Sequence, residues 1–265
     1  MLGLGNSITG GAALSKFSNY SGSFDGTADY VALPEVAALK PTSAVSISLW
    51  AKPNAWDMTN GTNSDVMLGC LSTGGFQIYL KNTGSQVTTL NFLIRVTDAG
   101  SGSDDYIEAT MNTATTEALS GWKHIVGTYD GTTAKLYVNA DGSTGITNEA
   151  GASGTTIKYH SSNARPIMLG ADASGDDSAQ NHYHGLLDDV AIWNVALDDG
   201  AVTAIYNSGV PFDLTANKGN YDNKNDLIGY WKFEEGTGDA VADSSTNSNN
   251  GGLGNAWSWS TDVPE

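Results

Sequence analysis

Gly121-Trp122-Lys123-His124-Ile125-Val126-Gly127-Thr128-Tyr129-Asp130-Gly131 runs on through Ala134-Lys135-Leu136-Tyr137-Val138-Asn139. Two stretches of β-branched and aromatic residues flank an Asp-Gly pair whose tolerance of positive φ suits a tight connection, and this predicts a β-hairpin. Outward from it the same grammar recurs. In Val45 to Lys52, Val45, Ile47, Leu49 and Ala51 share one face and Ser46, Ser48, Trp50 and Lys52 the other, a period of two that fits a half-buried strand. Phe76 to Leu80 and Leu90 to Val96 read alike. Further strands are expected at Ser21 to Phe24, Tyr30 to Leu33, Ile167 to Gly170, Gly185 to Trp193 and Ile228 to Phe233.

One helix is expected, at about Asp198 to Asn207. Asp198 or Asp199 caps its first turn, Val202, Ile205 and Tyr206 share a face, and Gly209 followed by Pro211 stops it. Many short strands between Gly, Asn, Asp and Ser clusters describe an all-β sandwich rather than alternating strands and helices.

The 265 residues and 40% hydrophobic content suffice for one large β domain with a real core. Lys+Arg number 12 against 29 Asp+Glu, a formal net charge of −17. Only Arg95 and Arg165 carry guanidinium groups, so no cationic stripe forms to neutralise phosphates, and nucleic acid and anionic membranes are poor partners. Cations and neutral sugars suit such a surface better. The single cysteine, Cys70, has no partner for an internal disulfide and no companions for a zinc site. Met1 to Gly11 lacks the basic and apolar regions of a signal peptide, and no apolar run is long enough to cross a bilayer.

Four segments, taken in order, resemble the laminin-G-like, concanavalin-A-like jelly-roll modules. They are Ser23-Phe24-Asp25-Gly26-Thr27-Ala28-Asp29-Tyr30-Val31, Ser46-Ile47-Ser48-Leu49-Trp50-Ala51-Lys52-Pro53, Gly121 to Gly131, and Gly185-Leu186-Leu187-Asp188-Asp189-Val190-Ala191-Ile192-Trp193-Asn194. The resemblance implies a two-sheet antiparallel jelly-roll sandwich with one short helix. It spans most of Phe17 to Gly209, and implies a single domain over 17–265 behind an N-terminal arm, 1–16.

One departure stands out. Tyr230-Trp231-Lys232-Phe233-Glu234-Glu235-Gly236 and Asp243-Ser244-Ser245-Thr246-Asn247-Ser248-Asn249-Asn250-Gly251 follow the helix here, whereas in ordinary family members their counterparts precede the Phe-Asp-Gly strand. Either the module resembles a circular permutant, with 227–253 supplying strands that normally come first, or a truncated second repeat begins there. The segment completes the sandwich in cis, or a neighbour's in trans, which would make a homo-oligomer. Met1-Leu2-Gly3-Leu4-Gly5-Asn6-Ser7, the order of helix then Tyr-Trp-Lys-Phe, and Ser260-Thr261-Asp262-Val263-Pro264 are similar to laminin-G-like virion proteins of marine tailed phages. That similarity implies a capsid decoration, head-fibre or tail-fibre component, made in the host cytoplasm without a signal peptide and partnered by other virion proteins.

For catalysis, the glycoside hydrolases that share the jelly roll use a Glu-x-Asp-x-x-Glu strand, and this chain has none. Glu234 and Glu235 are adjacent, so a strand would point them to opposite faces. No serine elbow, zinc helix or phosphate loop occurs either, and the chain reads as non-enzymatic. A surplus of carboxylates, Asn and carbonyl oxygens offers the hard ligands that Ca²⁺ takes in sixes to eights. The resemblance places a structural calcium between Asp188 and carbonyls of Gly26, Phe233 and Glu234, the alternative being that Asp188 is only a hydrogen-bonded strand residue. His182 and His184, Asp172 to Asp177, Asp98 with Asp104 and Asp105, and Gly251 to Asn255 are weaker metal candidates, the histidines reading first as polar residues at a strand entry and the others mainly as solvated loops. His124 reads as a hydrogen-bonded packing residue.

Sugar binding needs exposed aromatic faces beside polar groups. Trp50, Trp56, Trp257 and Trp259 are the candidates, and the alternative is that Trp50 lies under a loop while Trp257 and Trp259 seal the sandwich or an interface. Three functions follow: an adhesive virion protein that touches host-surface glycans, a purely architectural decoration protein, and a divergent hydrolase with two carboxylates facing across a cleft.

Overall fold

The computed structural model describes residues 17–56, 64–70, 74–82, 88–97, 104–113, 120–140, 147–148, 155–159, 166–173, 178–254 and 257–265. The expected arm 1–16, and Asp98, Asp176, Asp177 and Asn255, lie outside them.

In chain order the strands are β1 (Ser21–Asp25), β2 (Val31–Ala32), β3 (Val45–Pro53), β4 (Ser64–Gly69), β5 (Phe76–Asn82) and β6 (Thr88–Thr97). There follow β7 (Asp104–Asn112), β8 (Lys123–Tyr129), β9 (Ala134–Val138), β10 (Thr147–Asn148), β11 (Met168–Leu169) and β12 (Asp172–Ala173). The rest are β13 (Ala179–Gln180), β14 (His184–Trp193), β15 (Leu227–Trp231), β16 (Ala240–Val241), β17 (Gly251–Leu253) and β18 (Ser258–Ser260). Among the described residues a single α-helix, α1 (Asp199–Tyr206), stands between β14 and β15.

A seven-stranded sheet runs β18-β1-β14-β3-β8-β9 with β15 also on β14, and a nine-stranded sheet runs β10-β7-β6-β5-β4-β11-β2-β17-β16. All pairings within the two sheets are antiparallel. The all-β, two-sheet jelly-roll sandwich expected from the sequence is the fold observed. The predicted hairpin is β8–β9, and Asp130 makes its turn by accepting the N–H groups of Thr132 and Thr133, both at 2.8 Å, while Gly131 takes φ +97°.

Val45, Ile47, Leu49 and Ala51 of β3 face the inter-sheet core, with Phe92, Ile94, Ile125, Leu187 and Ile192 among their companions. The opposite face departs from the expectation of a half-buried strand: Ser46, Ser48 and Trp50 are also buried. The reason is a third layer. Helix α1 and the chain around it lay Leu197, Val202, Ile205, Leu214 and Tyr221 over Val126, Trp193 and Tyr230 on the outer face of the seven-stranded sheet. The helix starts as predicted, with Asp198 accepting the Ala201 N–H at 2.7 Å, and ends where Asn207 enters the left-handed region.

β14 has two neighbours on one side. β1 pairs with its residues 184–187 and β15 with 190–193, leaving Asp188 and Asp189 at the junction. Pairing with β3 slips by one residue there, and Asp189 takes φ +46°. This bulge turns two consecutive side chains to the same outer face, against the alternation of a regular strand.

Candidate functional site

The bulge gathers two of the three most deeply buried acids among the described residues. Asp188 and Asp189 are 0% and 3% exposed. Asp188 Oδ1 accepts the Asp189 N–H at 2.8 Å, and its Oδ2 lies 2.7 Å from Ser18 Oγ. Asp189 Oδ1 accepts the Tyr230 hydroxyl, while its buried Oδ2 meets no donor among the described residues. Burial, and for Asp188 the neighbouring Asp189 charge, push both carboxyls well above the usual carboxylate range.

Glu234 completes the joint. It accepts Ser18 Oγ at 2.6 Å, Asn19 N at 2.8 Å, Asn19 Nδ2 at 2.9 Å and Tyr20 N at 3.3 Å. Burial raises its pKa, but the bonds from Ser18, Asn19 and Tyr20 outweigh that and hold it below the ordinary value. The Ser18 hydroxyl has one proton and two carboxyls in reach. That hydroxyl is shared among Glu234 Oε1, Asp188 Oδ2 and the Tyr20 carbonyl, the last at 2.9 Å, and ties the two carboxyls together.

Of the four expected calcium ligands, Asp188 and Glu234 meet here through Ser18, Phe233 directs its ring to Phe24 and Trp257, and Gly26 lies apart. The β1–β14 register pairs Asp25 with His184, and a Cβ on Gly26 would stand 2.8 Å from that of His184. Asp188 is four residues further along β14, about 13 Å at the rise of a strand. The carboxyl oxygens of Asp188 and Glu234 are engaged by N–H and O–H groups, and among the described residues no three His, Cys, Asp or Glu side chains are grouped to hold a metal. Six to eight free oxygens are not offered, and in this arrangement the residues do not fit the ion.

The expectation of open stacking faces fails at three of the four tryptophans. Trp50, Trp56 and Trp257 are 5%, 7% and 8% exposed. Trp56 belongs to the core and donates Nε1 to Gly121 O at 3.3 Å. Trp257 stacks on Phe24 with centroids 6.1 Å apart, and half-buried Trp259 packs against Trp257 at 4.4 Å. These two close the sandwich beside Phe233. The Asp-Ser-Ser loop is likewise structural: Asp243 accepts N–H groups from Tyr230, Ser245 and Asn249.

Trp50 has a different use. It pairs across the sheet with His124, rings 5.0 Å apart, and Tyr206 at the end of α1 stacks over both at 6.2 and 5.9 Å. His124 is buried, bonds Ser48 Oγ through Nε2 at 2.7 Å, and has its pKa lowered to about 3 by burial. It is the packing residue expected. Half-buried Tyr206 lines a cleft of about 480 Å³ with Asn139, Thr203, Asn207, Ser208 and Lys218. Lys218 Nζ is steadied by Asn207 Oδ1 at 3.0 Å and by the Phe212 ring at 4.6 Å. Sequence reading placed Tyr206 on a helix face with Val202 and Ile205. Its place one residue before the left-handed Asn207 was the legible sign that it would sit at the helix rim.

Residues 25–203 match the model of the concanavalin A-like lectin/glucanases superfamily. The chain belongs to that superfamily. No curated protein matches the sequence significantly. Among solved structures, a candidate carbohydrate-binding protein from Bacteroides ovatus aligns with a TM-score of 0.60 and 16% identity, over 93% of this chain and 61% of its own. The chain therefore spans about three fifths of that protein's length. The heptameric SAP-like pentraxin of Limulus polyphemus gives a TM-score of 0.49 at 14% identity, over 90% of this chain and 96% of its own. The sialidase-associated CBM40 module of Ruminococcus gnavus, bound to α2,3-sialyllactose, gives 0.44 at 12%, over 70% and 97%. At these identities the similarity is one of fold, and within the concanavalin A-like superfamily a fold hosts several activities.

Proposed function

We propose that this concanavalin A-like chain is a non-catalytic adhesive part of a phage particle, a capsid-decoration, head-fibre or tail-fibre component that contacts host-surface glycans. The observation that carries the contact is the outer-face cleft, where an aromatic ring on a rigid base meets amide, hydroxyl and ammonium groups. The absence of catalysis is argued from the gathered acids. Asp188 and Asp189 are neighbours on one bulge, buried and hydrogen-bonded, not opposed across open space at the roughly 5 to 9 Å that glycoside hydrolysis uses. Glu235 is occupied by the Ala242 N–H at 2.8 Å.

The placement in a virion rests on the similarity of the two chain ends and of the element order to phage laminin-G-like proteins. Circular permutation belongs to the same proposal. It is supported by β15 pairing with β14, β17 with β2 and β18 with β1, through which the late segment closes both sheets of its own chain. A glycan array probed with the labelled full chain tests the binding role. Mass spectrometry of purified particles from a producing host tests the virion role. Multivalent display compensates for weak single-site affinity, so the array signal should grow when the chain is clustered on a bead. A clean array together with presence in particles would favour the purely architectural version.

A further inference from the structure

We infer that the cleft at the C-terminal end of α1 is a subsite for one neutral pyranose, seated on Tyr206 on the outer, helix-covered face of the sandwich. The inference rests on the glycan-binding reading above and adds the place, the residues and the ligand class.

Tyr206 supplies the platform. The sheet side of its ring is backed by Trp50 and His124, which are 5% and 2% exposed, so the ring is fixed before any ligand arrives. A preorganised aromatic surface costs little side-chain entropy on binding. Half-buried Tyr206 lines the cleft, and its ring is the group assigned to the C–H face of a sugar. A volume of about 480 Å³ lies in the range of small-ligand sites and suits one or two sugar rings.

The polar rim is fixed too. Asn139 uses its Oδ1 to accept the His124 N–H at 3.0 Å, which orients the amide and leaves Nδ2 for a ligand oxygen. Asn207 donates Nδ2 to Val210 O at 2.8 Å and accepts Lys218 Nζ at 3.0 Å. Lys218 keeps two N–H donors beyond that bond. The exposed Ser208 hydroxyl both donates and accepts, and Thr203, whose Oγ1 donates to Asp199 O at 2.8 Å, adds an acceptor. Such a mixture pairs with vicinal hydroxyls.

Charge selects the class. The chain carries a net charge of −17, and the one ammonium in the cleft is already held by an amide oxygen and an aromatic face. A neutral sugar avoids the repulsion that a carboxylated or sulfated one meets at this surface.

The test is titration of the full chain, followed by Trp fluorescence because Trp50 lies beneath Tyr206. The probes are a panel of neutral disaccharides of glucose, galactose, mannose and N-acetylglucosamine, with sialylated and sulfated lactose as the acidic arm. The neutral arm should bind. Tyr206→Ala should weaken binding at least tenfold, Tyr206→Phe less than threefold, and the exposed-site variant Lys218→Gln several-fold. Val36→Ala, an exposed change away from the cleft, should leave it unchanged. Circular dichroism and melting confirm that each variant is folded, and Lys218→Gln keeps the test decisive if Tyr206→Ala is not. Neutral sugar binding that neither variant alters overturns the cleft while leaving the glycan reading intact. Binding confined to the acidic arm overturns the ligand class. No binding across the panel or the wider array overturns both.

Discussion

Ser18 meets Glu234 across 216 residues of sequence, hydroxyl to carboxylate at 2.6 Å. The same carboxylate accepts from Asn19 and Tyr20, so one side chain of the late segment fixes the start of the first sheet strand. Glu234→Gln replaces one of its acceptor oxygens with a donor that confronts the Asn19 amide. A loss of about 1 to 3 kcal/mol in denaturant melts is expected. Hydrogen exchange at Asn19 and Tyr20 should rise more than at Gly22 or Phe24, whose strand pairing is untouched. Equal exchange at all four positions would refute the local role.

The Asp188–Asp189 pair sets an alkaline limit on stability. Burial raises both carboxyls, Asp189 to about 7, so the folded chain holds these protons more tightly than the unfolded chain. Their contribution is complete below about pH 4 and is lost as pH rises through neutrality. Asp189→Asn, which cannot ionise, should flatten the fall in melting temperature between pH 5 and 8, measured in EDTA, by roughly a third or more. An unchanged slope would show that Asp189 does not titrate in this window.

His124 works in the opposite sense. Its pKa is lowered to about 3 by burial, so the folded chain keeps the ring neutral where the unfolded chain would protonate it. The stability this contributes is full above about pH 6.5 and is lost as pH falls toward 3. Imidazole NMR resonances of His124 should not move between pH 5 and 8. A midpoint near 6 would mean that the layer of α1 over the sheet opens readily.

Calcium should do little. With Asp188 and Glu234 already engaged by Ser18, Asn19, Tyr20 and Asp189 N–H or O–H groups, millimolar Ca²⁺ after EDTA should shift the melting temperature by less than about 2 °C. A rise of several degrees would show that these oxygens turn away from their donors to bind the ion.

Gly127 marks a close approach of the two sheets. A Cβ there would lie 2.5 Å from the Phe92 ring, whereas one on Gly252 of β17 would meet nothing within 4 Å. Gly127→Ala should cost about 1 to 3 kcal/mol by overpacking, and Gly252→Ala about 0.5 or less. Equal losses would mean that Phe92 yields without cost.

Sequence alone determined most of the longer strands, though not β4 or β7, where Asp104 and Asp105 read as a loop, together with the hairpin turn at Asp130-Gly131, the helix with its Asp198 cap, and hence the sandwich. Each of these is written in local rules, a period of two, a turn residue or a capping side chain, that need no distant partner. It also determined that His124 packs and bonds rather than binds. The tertiary structure decided the rest, because burial depends on what arrives from elsewhere in the chain. Trp50 reads as exposed from its strand and is buried because Tyr206, 156 positions later, settles over it. Gly26 was grouped with Asp188 by family resemblance and is parted from it by register, a property of two strands together. Asp188 and Asp189 face the same way only because a bulge forms where β14 changes neighbours from β1 to β15. The cleft beneath Lys218 exists only once the helix rim, the hairpin end and the loop beyond are brought together, and no local pattern encodes that meeting.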